Sequence, residues 1–303
     1  MIELQQKLLA DHGRNDAFYK ALQSTIKKGI STVSDIGSGT GFLSFLASQL
    51  GAKKCYLYEA DEDILALSKK LALKNKITNC VLMHGYSDEV KDPTRTDIVI
   101  SETLGNYALE EHIIEIFQDA QRFLKKGGHM IPAQVQQFVA PVTAPRIHDE
   151  ITAWDHVGYK LDFSPAKEAA LNNMYVYRIT ADELNGTPQC WDTIDLTANP
   201  SSKRAGNAEW SYEKPTTVYG FCIWWTAHLT KDILLTTDPH HTSTHWDQIY
   251  LPLMTPLTLA ADETCSLKLS SDTSYNVGVR LTWEIRTSSS KAVIKMDTAK
   301  GIR

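Results

Sequence analysis

Glu102 and Glu111 stand nine positions apart in SETLGNYALEEH, with the turn formers Gly105 and Asn106 between them. Carboxylates on either side of one short loop can converge on a single cation. The cation that answers two carboxylates is a guanidinium, which is planar, charged at any working pH, and equipped with forked N–H donors that each carboxylate accepts in pairs. Such a pair does more than bind. A guanidinium nitrogen is a poor nucleophile because its lone pair is delocalised, and two carboxylates orient one terminal nitrogen and concentrate electron density on it.

A second constellation lies upstream. VSDIGSGTGF, residues 33 to 42, reads as a strand ending at Asp35, a loop with Gly37, Gly39 and Gly41, and a helix beginning FLSFLASQL. Glycines permit the turn and let backbone approach a ligand, while a helix N-terminus favours negative groups. A dinucleotide fingerprint would want another glycine where Phe42 stands, which argues against a nicotinamide oxidoreductase. CYLYEAD then reads as a second strand ending in Glu59, about twenty residues on, where a carboxylate accepts from both hydroxyls of a ribose.

The elements that must position these groups change character along the chain. Before residue 131, apolar runs such as CYLYE and DIVIS alternate with helical patterns such as DILALSKKLALKNK and EHIIEIFQDAQRFLKK, the rhythm of βαβ units and a parallel sheet. Lys125 and Lys126 read as the end of that last helix. All seven tryptophans, from Trp154 to Trp283, follow the break, as does every proline except Pro93 and the boundary Pro132. VYGFCIWWTAHL, DILLTT, CSLKLS and VGVRLTWEIR are β-branched and aromatic runs of an antiparallel barrel or sandwich. The expected organisation is a Rossmann-like α/β unit over residues 1–131, followed by a β-barrel or sandwich unit over 132–303.

The succession Asp35, glycine loop, Glu59, LMHGYSDEV and DIVISE resembles a class I S-adenosylmethionine-dependent methyltransferase, over roughly residues 30 to 130. S-E-x-x-G with a second glutamate nine residues on resembles the double-glutamate loop of the protein arginine methyltransferases, and FLKKGGHMIPAQVQQFVAPV resembles the family's passage through Pro132 into its barrel. Thr244, His245 and Trp246 resemble its THW loop, and Asp11, Arg14, Phe18 and Ala21 its N-terminal helix. The resemblance implies S-adenosylmethionine as cofactor. Glu59 would hold the ribose, Asp88 beside Ser87 the adenine amino group, and Arg14 the methionine carboxylate. Asp35, Gly37, Gly39 and Gly41 would form the cradle. Glu102 and Glu111 would clamp the arginine, with Glu110 a bystander, while His245 with Asp11 would assist proton loss or shape the site and Trp246 would wall the pocket. The family's N-terminal Tyr-Phe-x-x-Tyr segment has no counterpart ahead of Asp11, so the lid is expected to be shorter or built differently. Residues 155–180 stand where the family inserts a dimerisation arm, which implies a homodimer.

Composition bounds the remaining alternatives. With 31 Lys and Arg against 36 Asp and Glu, the net charge of −5 offers no basic footprint for nucleic acid and suits a cationic substrate. Five cysteines without a CxxC pair argue against disulfides and structural zinc, and suit a reducing cytoplasm. No metal is expected at His240, His241 and His245, whose spacing is not HExxH. Neither a signal peptide nor a spanning apolar run is read, so no membrane partner is expected. Three readings follow: methylation of arginine in a protein or peptide, methylation of free arginine or another small guanidine, and a catalytically silent methyltransferase fold used as a binding subunit.

Overall fold

The computed structural model describes residues 2–302. Two helices, α1 (Ile2–Ala10) and α2 (His12–Thr25), precede β1 (Thr32–Ile36), β2 (Lys54–Glu59), β3 (Cys80–His84), β4 (Thr96–Ile100) and β5 (Leu124–Ile131). These strands form one parallel sheet in the order β3-β2-β1-β4-β5. The order reverses at β1, and the C-terminal ends of β1 and β4 lie side by side, with Asp35 paired to Ile100. A crevice therefore opens at these ends, where doubly wound sheets bind their ligands. The strands earn their central places by composition: Val33, Cys55, Leu57, Ile98, Val99 and Ile100 are fully buried, as a sheet covered on both faces requires.

Three helices cross between these strands: α3 (Phe42–Gln49), α4 (Glu62–Lys74) and α5 (Ile113–Ala120). Asp61 caps α4 by accepting from the Ile64 N–H at 3.0 Å, and α5 buries Ile113, Ile114 and Phe117. One sequence expectation is corrected here. The helical pattern through FLKK ends at Ala120, and Lys125 and Lys126 belong to β5. The backbone decides this. Gly127 sits at φ +75°, and a Cβ on Gly128 would lie 2.7 Å from the Asp97 carbonyl, so the chain can pass this close to β4 only without a side chain. Lys125 then pairs with Asp97 at 3.0 Å across the two strands.

After Ile131, followed by a cis bond to Pro132, the chain turns antiparallel. The strands are β6 (Gln134–Val142), β7 (Tyr175–Tyr177), β8 (Gln189–Asp195), β9 (Lys203–Ser211), β10 (Thr216–His228), β11 (Leu234–Thr236), β12 (Gln248–Leu259), β13 (Thr264–Asp272), β14 (Arg280–Thr287) and β15 (Ile294–Asp297). One sheet runs β7-β12-β10-β6-β8 with β11 on β10, and the other β15-β14-β13-β9. Trp210, Phe221, Leu267 and Trp283 are buried here, in a hydrophobic core continuous with that of the parallel sheet. Between β6 and β7 lie α6 (Arg146–Ile151) and α7 (Ser164–Leu171). The link between these helices exposes Trp154, Tyr159, Leu161 and Phe163.

Candidate active site

The glycine loop is a cradle in its backbone angles. Gly37, Gly39 and Gly41 all lie at positive φ, and a Cβ on Gly41 would fall 2.7 Å from Phe45 and Ser68. Glu59 reaches across from β2 and accepts from the Gly39 N–H at 2.7 Å and the Asp61 N–H at 2.8 Å. Asp35 is buried beneath the loop, where it accepts from the Ser44 hydroxyl at 2.8 Å. Burial pushes its carboxyl up to about 7, against the bonds from Ser44 that favour the charged form.

Two cavities meet over this cradle. One, of about 410 Å³, is lined by Arg14, Asp35, Gly37, Gly39, Glu59, Glu102, Glu110, Glu111, His245 and Trp246, with one wall from α1. The other, of about 320 Å³, is lined by Gly37, Tyr58, Glu59, Ser87, Asp88, Glu115 and Tyr275. Both include Gly37, Glu59 and Thr103. A bipartite ligand fits this plan: a nucleoside arm in the second cavity, a ribose at the shared Glu59 where the hydroxyls can donate, and an amino-acid arm in the first. Leu4, Gln5 and Leu8 of α1 help close the first cavity. Gln5 lies over Gly39, its amide 3.1 Å from where a Cβ would stand.

The two clamp glutamates differ in their surroundings. Glu102 follows β4, and its Oε2 accepts from Arg14 Nε at 3.1 Å and also from the Arg14 terminal nitrogen. This pair is nearly dry, with 6% and 7% of the side chains exposed. Arg14, which the resemblance assigns to a cofactor carboxylate, is thus already bonded to the first glutamate of the clamp. The ion pair balances charges that would be costly to bury alone. Glu111 has solvent-exposed surface and, among the described residues, no such ion-pair partner. The protein crowded around its carboxyl, and secondarily the charges of Glu102 and Glu110, push it up to about 7.

Glu110 is more than a bystander in geometry. Its Oε1 accepts from the Asn106 N–H at 2.7 Å, and Gly105 leaves the room its side chain fills, because a Cβ there would come within 2.1 Å of it. The barrel holds the same loop from outside. Trp246 Nε1 donates to the Leu104 carbonyl at 2.7 Å, Trp225 Nε1 donates to the Gly105 carbonyl at 3.0 Å, and the Asp247 N–H donates to Asn106 Oδ1 at 2.9 Å. The two indoles pack edge to face, with centroids 5.0 Å apart. Trp246 is therefore buried against the loop as a brace as well as a wall of the cavity.

His245 and Asp11 are 234 positions apart in sequence and adjacent here. Asp11 is the N-cap of α2: its Oδ1 accepts from the Arg14 N–H at 2.9 Å. Its Oδ2 accepts from the His245 backbone N–H at 2.8 Å and lies 2.8 Å from His245 Nδ1. Burial works against the Asp11 charge, but these bonds outweigh it and hold the carboxyl below its ordinary value. A charged Asp11 can only accept, so Nδ1 carries the proton and Nε2 is the nitrogen it leaves unengaged. Burial in turn holds His245 below the usual imidazole value, over the opposing pull of Asp11 and Glu102.

Of the candidate site residues, Arg14, Asp35, Gly37, Gly39, Glu59, Glu102, Glu111, His245 and Trp246 line the first cavity, while Asp11 and Gly41 line neither and act through His245 and the glycine loop. Gly41 shapes the cradle, and Ser87 and Asp88 line the nucleoside-sized cavity. Trp225, Asp247 and Tyr275 are not singled out by the sequence, and Asn106 reads only as a turn former. Trp225 counts only among the tryptophans of the second half, and nothing in the local sequence marks Asp247 or Tyr275.

Comparison with known proteins agrees with this geometry. Residues 133–289 match the family model described as the arginine methyltransferase oligomerization subdomain, and residues 11–135 match that of the ribosomal protein L11 methyltransferase, PrmA. A protein arginine N-methyltransferase 6 from Xenopus laevis is 25% identical over 268 residues, covering 83% of this chain and 78% of that protein. In fold, the chain is similar to a Trypanosoma brucei PRMT1 enzyme–prozyme heterotetrameric complex with AdoHcy. The TM-score is 0.86 at 19% identity, covering 97% of this chain and 96% of that one. It is also similar to Arabidopsis thaliana protein arginine methyltransferase 10, with a TM-score of 0.82 at 21% identity and 98% of each chain covered.

Proposed function

The chain belongs to the arginine methyltransferase family, and from that premise we propose that it methylates a terminal guanidino nitrogen of arginine in a protein or peptide, using S-adenosylmethionine. The observation that carries this reading is the junction of the glycine cradle with a cavity where Glu102, Glu110 and Glu111 converge beside His245. When bound, S-adenosylmethionine supplies a methyl group on a sulfonium, a leaving group strong enough for direct displacement. The chain's own residues do the rest. Glu59 holds the ribose hydroxyls, Asp88 beside Ser87 the adenine amino group, and Arg14, anchored by Glu102, lies near enough to meet a carboxylate. Glu102 and Glu111 take the guanidinium from two sides and would aim one nitrogen at the methyl group that S-adenosylmethionine would supply. His245 is held neutral by burial and oriented by Asp11 to accept the proton the guanidinium then loses. Trp246 walls the guanidinium and, with Trp225, keeps the clamp loop in place.

Mass spectrometry of the product separates the substrate classes. An arginine-rich peptide is expected to gain 14 mass units per methyl, as a CH2 increment dictates (~14), far more efficiently than free arginine. Comparable methylation of the free amino acid would overturn the preference for protein. A silent binding subunit is disfavoured, because it has no physical need for a carboxylate pair gathered beside His245. We further propose units at 1–131 and 132–303, and a homodimer through the 155–180 arm, whose Trp154, Tyr159, Leu161 and Phe163 are exposed. Sedimentation of the wild type against Tyr159→Ser with Leu161→Ser checks the dimer. A cytoplasmic location accords with five free cysteines, and cell fractionation tests it.

A further inference from the structure

The nucleoside-sized cavity has a wall that does not come from the sheet that builds its floor. Tyr275 sits in the turn between β13 and β14, in the barrel, yet lines this cavity together with Ser87, Asp88 and Glu115. The turn is braced rather than loose: Ser274 donates to Asp272 Oδ1 from both its N–H, at 3.1 Å, and its hydroxyl, at 2.6 Å, and the Thr273 N–H donates to the Ser202 carbonyl at 3.1 Å. Ser202 in turn bonds Glu115 on α5 through its hydroxyl. The Tyr275 ring stands against His112, with centroids 4.3 Å apart and planes tilted by 37°. His112 immediately follows Glu111 and is held at φ +59°, a strained angle for a residue with a side chain. A large aromatic left 65% exposed, on a turn fixed by several bonds and facing a cavity rimmed by carboxylates, has an open face for a flat heteroaromatic ring.

Resting on the cofactor assignment above, we propose that Tyr275 is a cofactor-binding residue, through which the barrel supplies the outer wall of the nucleoside site. The nucleoside site is then complete only when the barrel is docked on the parallel-sheet unit. The same contact steadies His112 and, one residue back, Glu111, so that cofactor and guanidinium sites share a support.

Calorimetric titration with S-adenosylhomocysteine and with its nucleoside fragment 5′-methylthioadenosine tests this in the full chain. Tyr275→Ala is expected to weaken both by about tenfold, since base–aromatic contact is of that order, while Tyr275→Phe stays within about twofold of wild type. The equal loss on the fragment locates the contact at the nucleoside, and the melting temperature of the unliganded variant should hold because the side chain is mostly exposed. Should Tyr275→Ala fail to fold, Tyr275→Leu keeps bulk against His112 without an aromatic face and is expected to lose about fivefold. Unchanged affinity in Tyr275→Ala or Tyr275→Leu, with the wild type binding, overturns the inference alone. A wild type that binds neither ligand overturns the cofactor assignment and this inference with it.

Discussion

The two ends of the clamp loop are built on different principles. At the strand end, Glu102 is dry and paired with Arg14, whose helix is capped by the same Asp11 that holds His245. At the far end, Glu111 is partly open, has no ion-pair partner among the described residues, and lies near two like charges. The first end is finished before any substrate arrives, and the second waits for one. A carboxylate with a partner costs less to keep charged, whereas one without a partner holds a proton more tightly until a guanidinium supplies the missing positive charge. The contrast sets a carboxylate already held by an internal cation against one left open to an incoming cation, within ten residues.

The largest effect that could break this comparison comes from neutralising each end. Glu102→Gln and Glu111→Gln are each expected to lower kcat by about 10² to 10³, measured with saturating peptide, because preorganised charge is lost where the transition state needs it. Their stabilities should then diverge. Glu102→Gln strands the Arg14 charge and lowers the melting temperature. Glu111 has a raised carboxyl, so its contribution to stability is complete below the ordinary value of 4.5 and is lost as pH rises through about 7. Glu111→Gln is accordingly expected to melt at or above the wild-type temperature at pH 8, and equal destabilisation by both changes would erase the distinction.

A smaller effect is expected from the brace that spans both ends. Trp225→Phe leaves the Gly105 carbonyl without its donor in a buried setting, a cost of about 1–3 kcal/mol. Peptide kcat should fall about tenfold while the affinity for S-adenosylhomocysteine is unchanged. If cofactor affinity falls in parallel, Trp225 is holding the domain interface rather than the loop.

Smaller again is the change at Asp11. Asp11→Asn keeps a good helix cap, but removes the charge that raises His245. The acidic limb of the kcat profile should move to lower pH, with kcat reduced about threefold to tenfold. An unmoved profile would exclude His245 as the proton acceptor. The finest measurement is proton release. With its carboxyl pushed up to about 7, Glu111 is partly protonated near neutral pH, and capture of a guanidinium should expel a fraction of a proton. Calorimetry of peptide binding in buffers of different ionisation enthalpy reads that fraction directly, and zero release would mean that Glu111 is charged before the substrate binds.

Much of the site was legible because its residues sit at positions that local rules single out. Glu59 and Glu102 follow apolar strands, and the glycines follow Asp35 at a strand-to-helix turn, so periodicity and turn chemistry locate them without any tertiary information. The barrel was legible as a class from its β-branched and aromatic runs. The failures have the same origin seen from the other side. Lys125 and Lys126 continue a helical pattern, but a close approach to the Asp97 carbonyl, invisible in the local sequence, draws them into β5. Glu110 looks like a surface charge until its bond to the Asn106 N–H is seen, and Tyr275 looks like any turn tyrosine until the turn is found over the nucleoside cavity.

By itself, then, the sequence determined which chemistry the chain could carry: two carboxylates for one cation, a glycine cradle with a ribose acceptor, and a sheet with a barrel behind it. Those follow from residue type and short spacing, which act over a few bonds. The tertiary structure decided which partners each group has. It joined Arg14 to Glu102, His245 to Asp11, and both indoles to the clamp loop, across separations of 88 to 234 residues. Charge state, buried hydrogen bonds and cavity walls depend on distances in space, and only the packing of one unit on the other sets those distances.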